Sequence, residues 1–137
     1  MSTDKLYLSP FENALSRLNE GYVRYEKEIS DTQIRDGLIQ RFEFTYEISH
    51  KILKRYLEMI SPNPEEIDAL SFADLIRSGN EQSLLLSDWS QWKIFREMRG
   101  KSSHTYDEVI ALEVVSVIPS FMRDARFLLE QLQKRNV

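Results

Sequence analysis

Cysteine is absent from the sequence, which excludes disulfide scaffolds and cysteine-based metal or redox centres. There are only two histidines, His50 and His104, too few for a histidine-rich metal site within one chain, so neither a metal nor a cofactor is expected. Positive charge is not in excess: 18 Lys and Arg stand against 22 Asp and Glu, a net charge of −4. That balance argues against broad contact with nucleic-acid phosphates, although it leaves room for a local basic patch. Long apolar runs are missing too. The opening MSTDKLYLSPFE has none and no window reaches the length of a membrane span, so a soluble, cytoplasmic protein is expected. With only four glycines and four prolines, most of the chain must lie in long regular elements, for which helices are the better expectation.

Hydrophobic residues make up 42% of the 137, enough for a real core and against disorder, and the length predicts a single domain over residues 1–137. Ser9-Pro10-Phe11-Glu12 reads as a helix start with a capping box. Phe11, Leu15, Leu18, Tyr22, Tyr25 and Ile29 then recur at spacings of three and four, on one helix face. Ser30-Asp31-Thr32 opens a second helix to about Ile60, with Leu38, Phe42, Ser49, Leu53, Tyr56 and Ile60 as its stripe and Gly37 weakening its first turns. Ser61-Pro62-Asn63-Pro64 ends it. A short helix near Pro64 and another over Ser71–Arg77, ending at Gly79-Asn80, follow. Ser87-Asp88 caps a helix with Trp89, Trp92, Phe95 and Met98 along one side. Asp107-Glu108 opens the last, whose stripe runs from Ile110 to Leu132 with a kink expected at Pro119. The expected architecture is all-α: an up-and-down four-helix bundle with an extra short helical segment. The aromatic stripe of the first helix plus the tryptophans exceeds what one such core needs, which predicts a homodimer.

The chemistry-bearing stretch is REMRGKSSHTYDE, Arg96 to Glu108. On an unbroken helix, Arg99 and His104 point about 140° apart, so they converge only if the helix ends between them or two chains contribute. Gly100 and Ser102-Ser103 make an ending plausible, and place His104 and Tyr106 in a tight connection. Lys93, Arg96, Arg99 and Lys101 form a basic run opposed only by Glu97, able to hold a phosphate of RNA or of a nucleotide. Lys93, Arg96, Lys101 and Ser103 are therefore the candidate nucleotide or partner contacts. Glu43 and Glu47 share a face of the second helix at i, i+4 and are read as solvated, tied to Arg41, Lys51 or Lys54. His50, one turn after Tyr46, is read as a partly buried polar contact.

Arg99, four residues, His104, one residue, Tyr106 resembles the motif of the HEPN superfamily and of its HepT-like toxin branch. RDGLIQRFEFTYEISHKILKRYLE (Arg35 to Glu58) and SHTYDE (Ser103 to Glu108) resemble the nucleotidyltransferase substrate-binding subunits of the same group, so the likeness spans roughly residues 8 to 134. The resemblance implies a dimerising helical bundle with Arg-His pairs near the subunit interface, and a minimal nucleotidyltransferase as partner. It implies one of two roles. The first is a non-catalytic subunit that completes the substrate site of that nucleotidyltransferase. The second is a metal-independent ribonuclease toxin using Arg99 and His104, silenced by AMP transfer to Tyr106. Nuclease members usually carry a polar residue directly after the arginine, where this chain has Gly100, so the helper role is placed first. The chain lacks the Gly-Ser signature and paired aspartates of a nucleotidyltransferase, and is not read as the transferase itself.

Overall fold

The computed structural model describes residues 6–135. It consists of α1 (Ser9–Lys27), α2 (Thr32–Ile60), α3 (Pro64–Asp68), α4 (Phe72–Glu81), α5 (Trp89–Lys101) and α6 (Glu108–Arg135), with a 3₁₀ turn over Ser102–His104 between the last two. No strand occurs among the described residues, so the all-α expectation holds. None of these helices is long and apolar enough to cross a membrane.

Local chemistry sets most helix starts. Asp31 accepts hydrogen bonds from Gln33 N and Ile34 N at the head of α2, Ser71 from Asp74 N at α4, Asp88 from Ser90 N at α5, and Asp107 from Val109 N and Ile110 N at α6. Each side-chain oxygen satisfies an amide that the first helical turn leaves without a partner. At α1 the expected capping box does not form. The cap position is Leu8, Ser9 is already helical, and Glu12 instead accepts from Gln133 Nε2 at the far end of α6. Gly79 lies inside α4 rather than ending it. A Cβ there would sit 2.9 Å from Leu85 Cδ1, so close packing against the following loop, not a chain reversal, calls for glycine. The last helix runs through Pro119 unbroken.

One core joins α1, α2, α4, α5 and α6. At its centre Phe121 makes near-perpendicular ring contacts with Phe42 at 5.2 Å, Phe95 at 5.3 Å and Trp92 at 6.1 Å. All four rings are fully enclosed, and burial of each such side chain contributes about 2–3 kcal/mol relative to exposure. Phe11, Leu15, Leu18 and Tyr25 of α1 are buried in the same core, whereas Ile29 lies beyond the helix end and is 67% exposed. Of the remaining residues from which a dimer is inferred above, Trp92 is buried, while Tyr22 and Trp89 are only partly buried against the core. Large apolar side chains left in solvent include Tyr7 (77%) and Leu86 (55%) and, grouped around the start of α6, Tyr106, Val109 and Leu112, 87%, 67% and 48% exposed.

Candidate functional site

The connection from α5 to α6 is built from six residues. α5 ends at Lys101, the 3₁₀ turn follows, and His104 O accepts from Asp107 N (3.1 Å) before Asp107 caps α6. The helix thus ends between Arg99 and His104, yet the two side chains make no contact with one another among the described residues. His104 and Tyr106 are brought together: Nδ1 lies 3.3 Å from the phenolic oxygen, and the rings meet edge to face at 5.9 Å. Both project into solvent.

Arg99 turns the other way, onto α2. Its Nε donates to Glu47 Oε1 (3.0 Å) and its Nη1 to Glu43 Oε2 (3.1 Å) and Ser102 Oγ (3.3 Å). The buried Ser102 hydroxyl closes the cluster, 2.7 Å from both Glu43 Oε2 and the carbonyl of Arg99. A guanidinium carries five N–H donors; these contacts leave the two on Nη2 without a partner among the described residues. Two carboxylates face one guanidinium, so the cluster has no positive charge to spare for a phosphate. Glu43 and Glu47 were expected to meet Arg41, Lys51 or Lys54. Instead Arg41 donates to the carbonyl of Arg17 and Lys54 pairs with Asp68, because the α2 face bearing both acids is covered by α5. Their i, i+4 spacing was the visible signal, and their partner lay more than fifty residues away.

The other candidates divide. Lys101 is paired with Glu113 at 3.0 Å. Lys93 and Ser103 are exposed, and Arg96 lies over the Phe72 ring with its guanidinium carbon 5.3 Å from the centroid, a cation–π contact. His50 packs its edge on that same ring at 4.7 Å, and burial holds its pKa below the usual imidazole value. Nearby, burial pushes the Tyr46 phenol up to about 12, so it stays protonated. No group of three or more potential metal ligands occurs among the described residues. The arrangement offers a histidine–tyrosine pair in solvent and, turned away from it onto α2, an arginine held by two acids and a hydroxyl.

The family model described as nucleotidyltransferase substrate binding protein like matches residues 6–134. A Haemophilus influenzae protein named probable ribonuclease HepT is 38% identical over 145 residues, covering 99% of this chain and 98% of that protein. A solved Haemophilus influenzae structure, described as revealing the fold of a substrate-binding domain of a nucleotidyltransferase, superposes with a TM-score of 0.86 at 34% identity, covering 92% of this chain and 98% of the other. A crystal structure from Thermus thermophilus gives a TM-score of 0.69 at 28% identity, covering 89% of this chain and 98% of the other.

Proposed function

The chain belongs to the nucleotidyltransferase substrate-binding protein-like family, and from that premise we propose that it is a non-catalytic partner subunit of a minimal nucleotidyltransferase. In this reading its four long helices form the bundle and a homodimer presents the α5–α6 connection to the partner. The observation that carries it is the engagement of Arg99. A cation meant to neutralise a scissile phosphate is of little use while Glu43, Glu47 and Ser102 hold three of its N–H groups. Held this way, Arg99 fixes the end of α5 against α2 and so sets where the exposed loop stands. The uncovered Tyr106, Val109 and Leu112 supply an apolar surface for the second copy or the enzyme.

A second reading, a ribonuclease silenced at Tyr106, draws on the His104–Tyr106 contact. Histidine is the natural proton acceptor for attack by a ribose 2′-hydroxyl. AMP transfer would form a bond from the phenolic oxygen to the α-phosphorus of ATP, releasing pyrophosphate and a proton, and would set a phosphodiester beside the imidazole. The 38% identity to a protein named probable ribonuclease HepT weighs the same way.

One experiment separates the two: co-purification with the neighbouring nucleotidyltransferase and ATP, then intact mass. A stable complex at unchanged mass supports the helper subunit. An AMP-sized gain localised to Tyr106, with growth arrest by the free chain that His104→Ala relieves, supports the toxin. Light scattering of the free protein is expected to give twice the 16.2 kDa chain mass; a monomer at micromolar concentration removes the dimer.

A further inference from the structure

Two cavities of similar size lie along the seam between α2 and the N-terminal part of the chain. One, of about 330 Å³, is floored by Ile34 and Leu38 of α2, flanked by Gly21 of α1, and edged by Arg24 and Arg41. The other, of about 340 Å³, is floored by Ile48 and Ile52, flanked by Tyr7, and edged by Lys51 and Arg55. The α2 residues of the two occupy the same register. Ile34, Gly37, Leu38 and Arg41 recur fourteen positions on as Ile48, Lys51, Ile52 and Arg55. Fourteen residues are close to four helical turns, so both cavities open on one side of α2, roughly 21 Å apart. Each has a two-residue aliphatic floor and an arginine one turn beyond it. Phe44, 36% exposed, sits at the midpoint of the line from Gly37 to Lys51.

The described residues line these cavities without filling them. Between them α1 and α2 close up, with the buried Thr45 hydroxyl 3.3 Å from the carbonyl of Ala14, so the openings flank a sealed seam. Gly37 costs stability inside a helix, yet a Cβ there would meet nothing within 4 Å. Its bareness widens the first cavity without serving internal packing. The charge around both openings runs against that of the molecule. Four cations are set against Glu20 as the acid of the lining, in a chain of net charge −4. Arg24 is answered by Glu28, and one N–H of Arg41 by the Arg17 carbonyl; Lys51 and Arg55 have no carboxylate partner among the described residues.

We propose that the α1–α2 seam is a docking surface for an acidic amphipathic helix of a partner protein, with two apolar anchors fourteen residues apart. The anchors enter the two cavities, and an acid one turn after each meets Arg41 and Arg55. Helices seated in grooves use anchors on one face at helical spacing, and two repeats of one register on α2 match a partner with the same period. The Arg99 face of α2 lies more than a quarter-turn away, so this surface acts independently of the site described above.

The probe is a fluorescein-labelled, alanine-based helical peptide with two leucines fourteen residues apart, each followed three residues later by glutamate. Saturable anisotropy binding to the full chain in the micromolar range is expected, weakened about tenfold or more by Arg41→Glu with Arg55→Glu. Because Arg41 also bonds α1, the pair Lys51→Glu with Arg55→Glu, neither of which has a side-chain partner among the described residues, is expected to weaken binding in the same direction with an unchanged melting curve. A peptide with its leucines twelve residues apart, on different faces, is expected not to bind. No saturable binding, equal binding of both spacings, or affinity indifferent to both charge reversals overturns the proposal. So does a dimer of the free protein that dissociates on charge reversal, which would give the seam to a second copy.

Discussion

Two arginines contact acids across the helical packing and differ in nearly every other respect. Arg35, near the start of α2, has a side chain 5% exposed and makes a two-pronged pair with Glu108 at the head of α6, at 2.7 and 2.9 Å. Its pKa is raised by that hydrogen-bonded partner, and the Glu108 carboxyl is held below the usual carboxylate range by the same contact. Its Nε is buried without an acceptor, a standing cost that the structure tolerates. Arg99, near the end of α5, is 32% exposed, meets two acids and a hydroxyl, and keeps its unpaired nitrogen in Nη2 rather than in a buried Nε. The first arginine joins two helices in a closed site; the second is held by α2 in an open one. Burial and the position of the spare N–H separate an arginine sealed within the packing from one held at its partly exposed edge.

The sharpest way to break that contrast is truncation of both. Arg35→Ala is expected to cost about 2–4 kcal/mol in chemical denaturation, since it empties a buried site and unties α2 from α6. Arg35→Met, which keeps the stem, is expected to recover most of the loss, because the exposed Glu108 returns to water easily. Arg99→Ala is expected to cost about 1 kcal/mol or less, as for ion pairs open to solvent. Equal losses at the two positions would erase the distinction.

A smaller effect is expected from releasing Arg99 while keeping it. Glu43→Gln with Glu47→Gln retains the shape of the contacts and removes two negative charges. Binding of a short single-stranded RNA at low salt is expected to tighten severalfold and to fade as salt is raised, and Arg99→Ala in the same background is expected to abolish the gain. Unchanged binding would mean that the two acids do not restrain the guanidinium.

Smaller again is the pH dependence carried by His50 on the Arg99 side of α2. Its folded pKa is lowered from the ordinary 6.5 by burial, with Lys54, Arg96 and Lys51 acting in the same direction and Glu47 against them. Below pH 6.5 the unfolded chain takes up a proton that the folded chain resists, so stability falls as pH drops through that window. The pH slope of the melting temperature is expected to be shallower in His50→Gln than in the wild type. Taking the difference between the two cancels the opposite contribution of Asp124, whose carboxyl is raised by burial, and the acid-side loss at Glu108.

What the sequence makes legible is local. Asp31, Ser71, Asp88 and Asp107 mark their helix starts because a cap is chemistry between residues two or three apart. The end of α5 before His104 is marked by the paired serines, where the Ser102 hydroxyl donates back to the Arg99 carbonyl, whereas Gly100 stays inside the helix with no positive φ. Contacts fixed by tertiary packing are not legible. Glu43 and Glu47 look like surface acids until α5 lies across them, and Ser87 looks like a cap until the buried Asp124 carboxylate takes both its amide and its hydroxyl at 3.0 Å. The fourteen-residue echo on α2 is an intermediate case. It is plain in the letters, but it means nothing until α1 covers one side of the helix and leaves openings at both repeats.

The smallest effect concerns the side of α2 away from both arginines' carboxylates. Gly37 is helical with no positive φ, and a methyl group there has free space around it. Nothing in the folded chain therefore opposes Gly37→Ala, and the unfolded chain loses conformational freedom. The substitution is expected to stabilise by about 0.5–1 kcal/mol, read as a higher denaturation midpoint at unchanged slope. Gly21→Ala is its control, because a Cβ at that position lies 3.1 Å from Arg41 Cδ and needs the arginine to shift; its gain is expected to be smaller or absent. If the two alanines stabilise equally, crowding by Arg41 does not limit the seam, and only the general cost of a helical glycine remains to explain both.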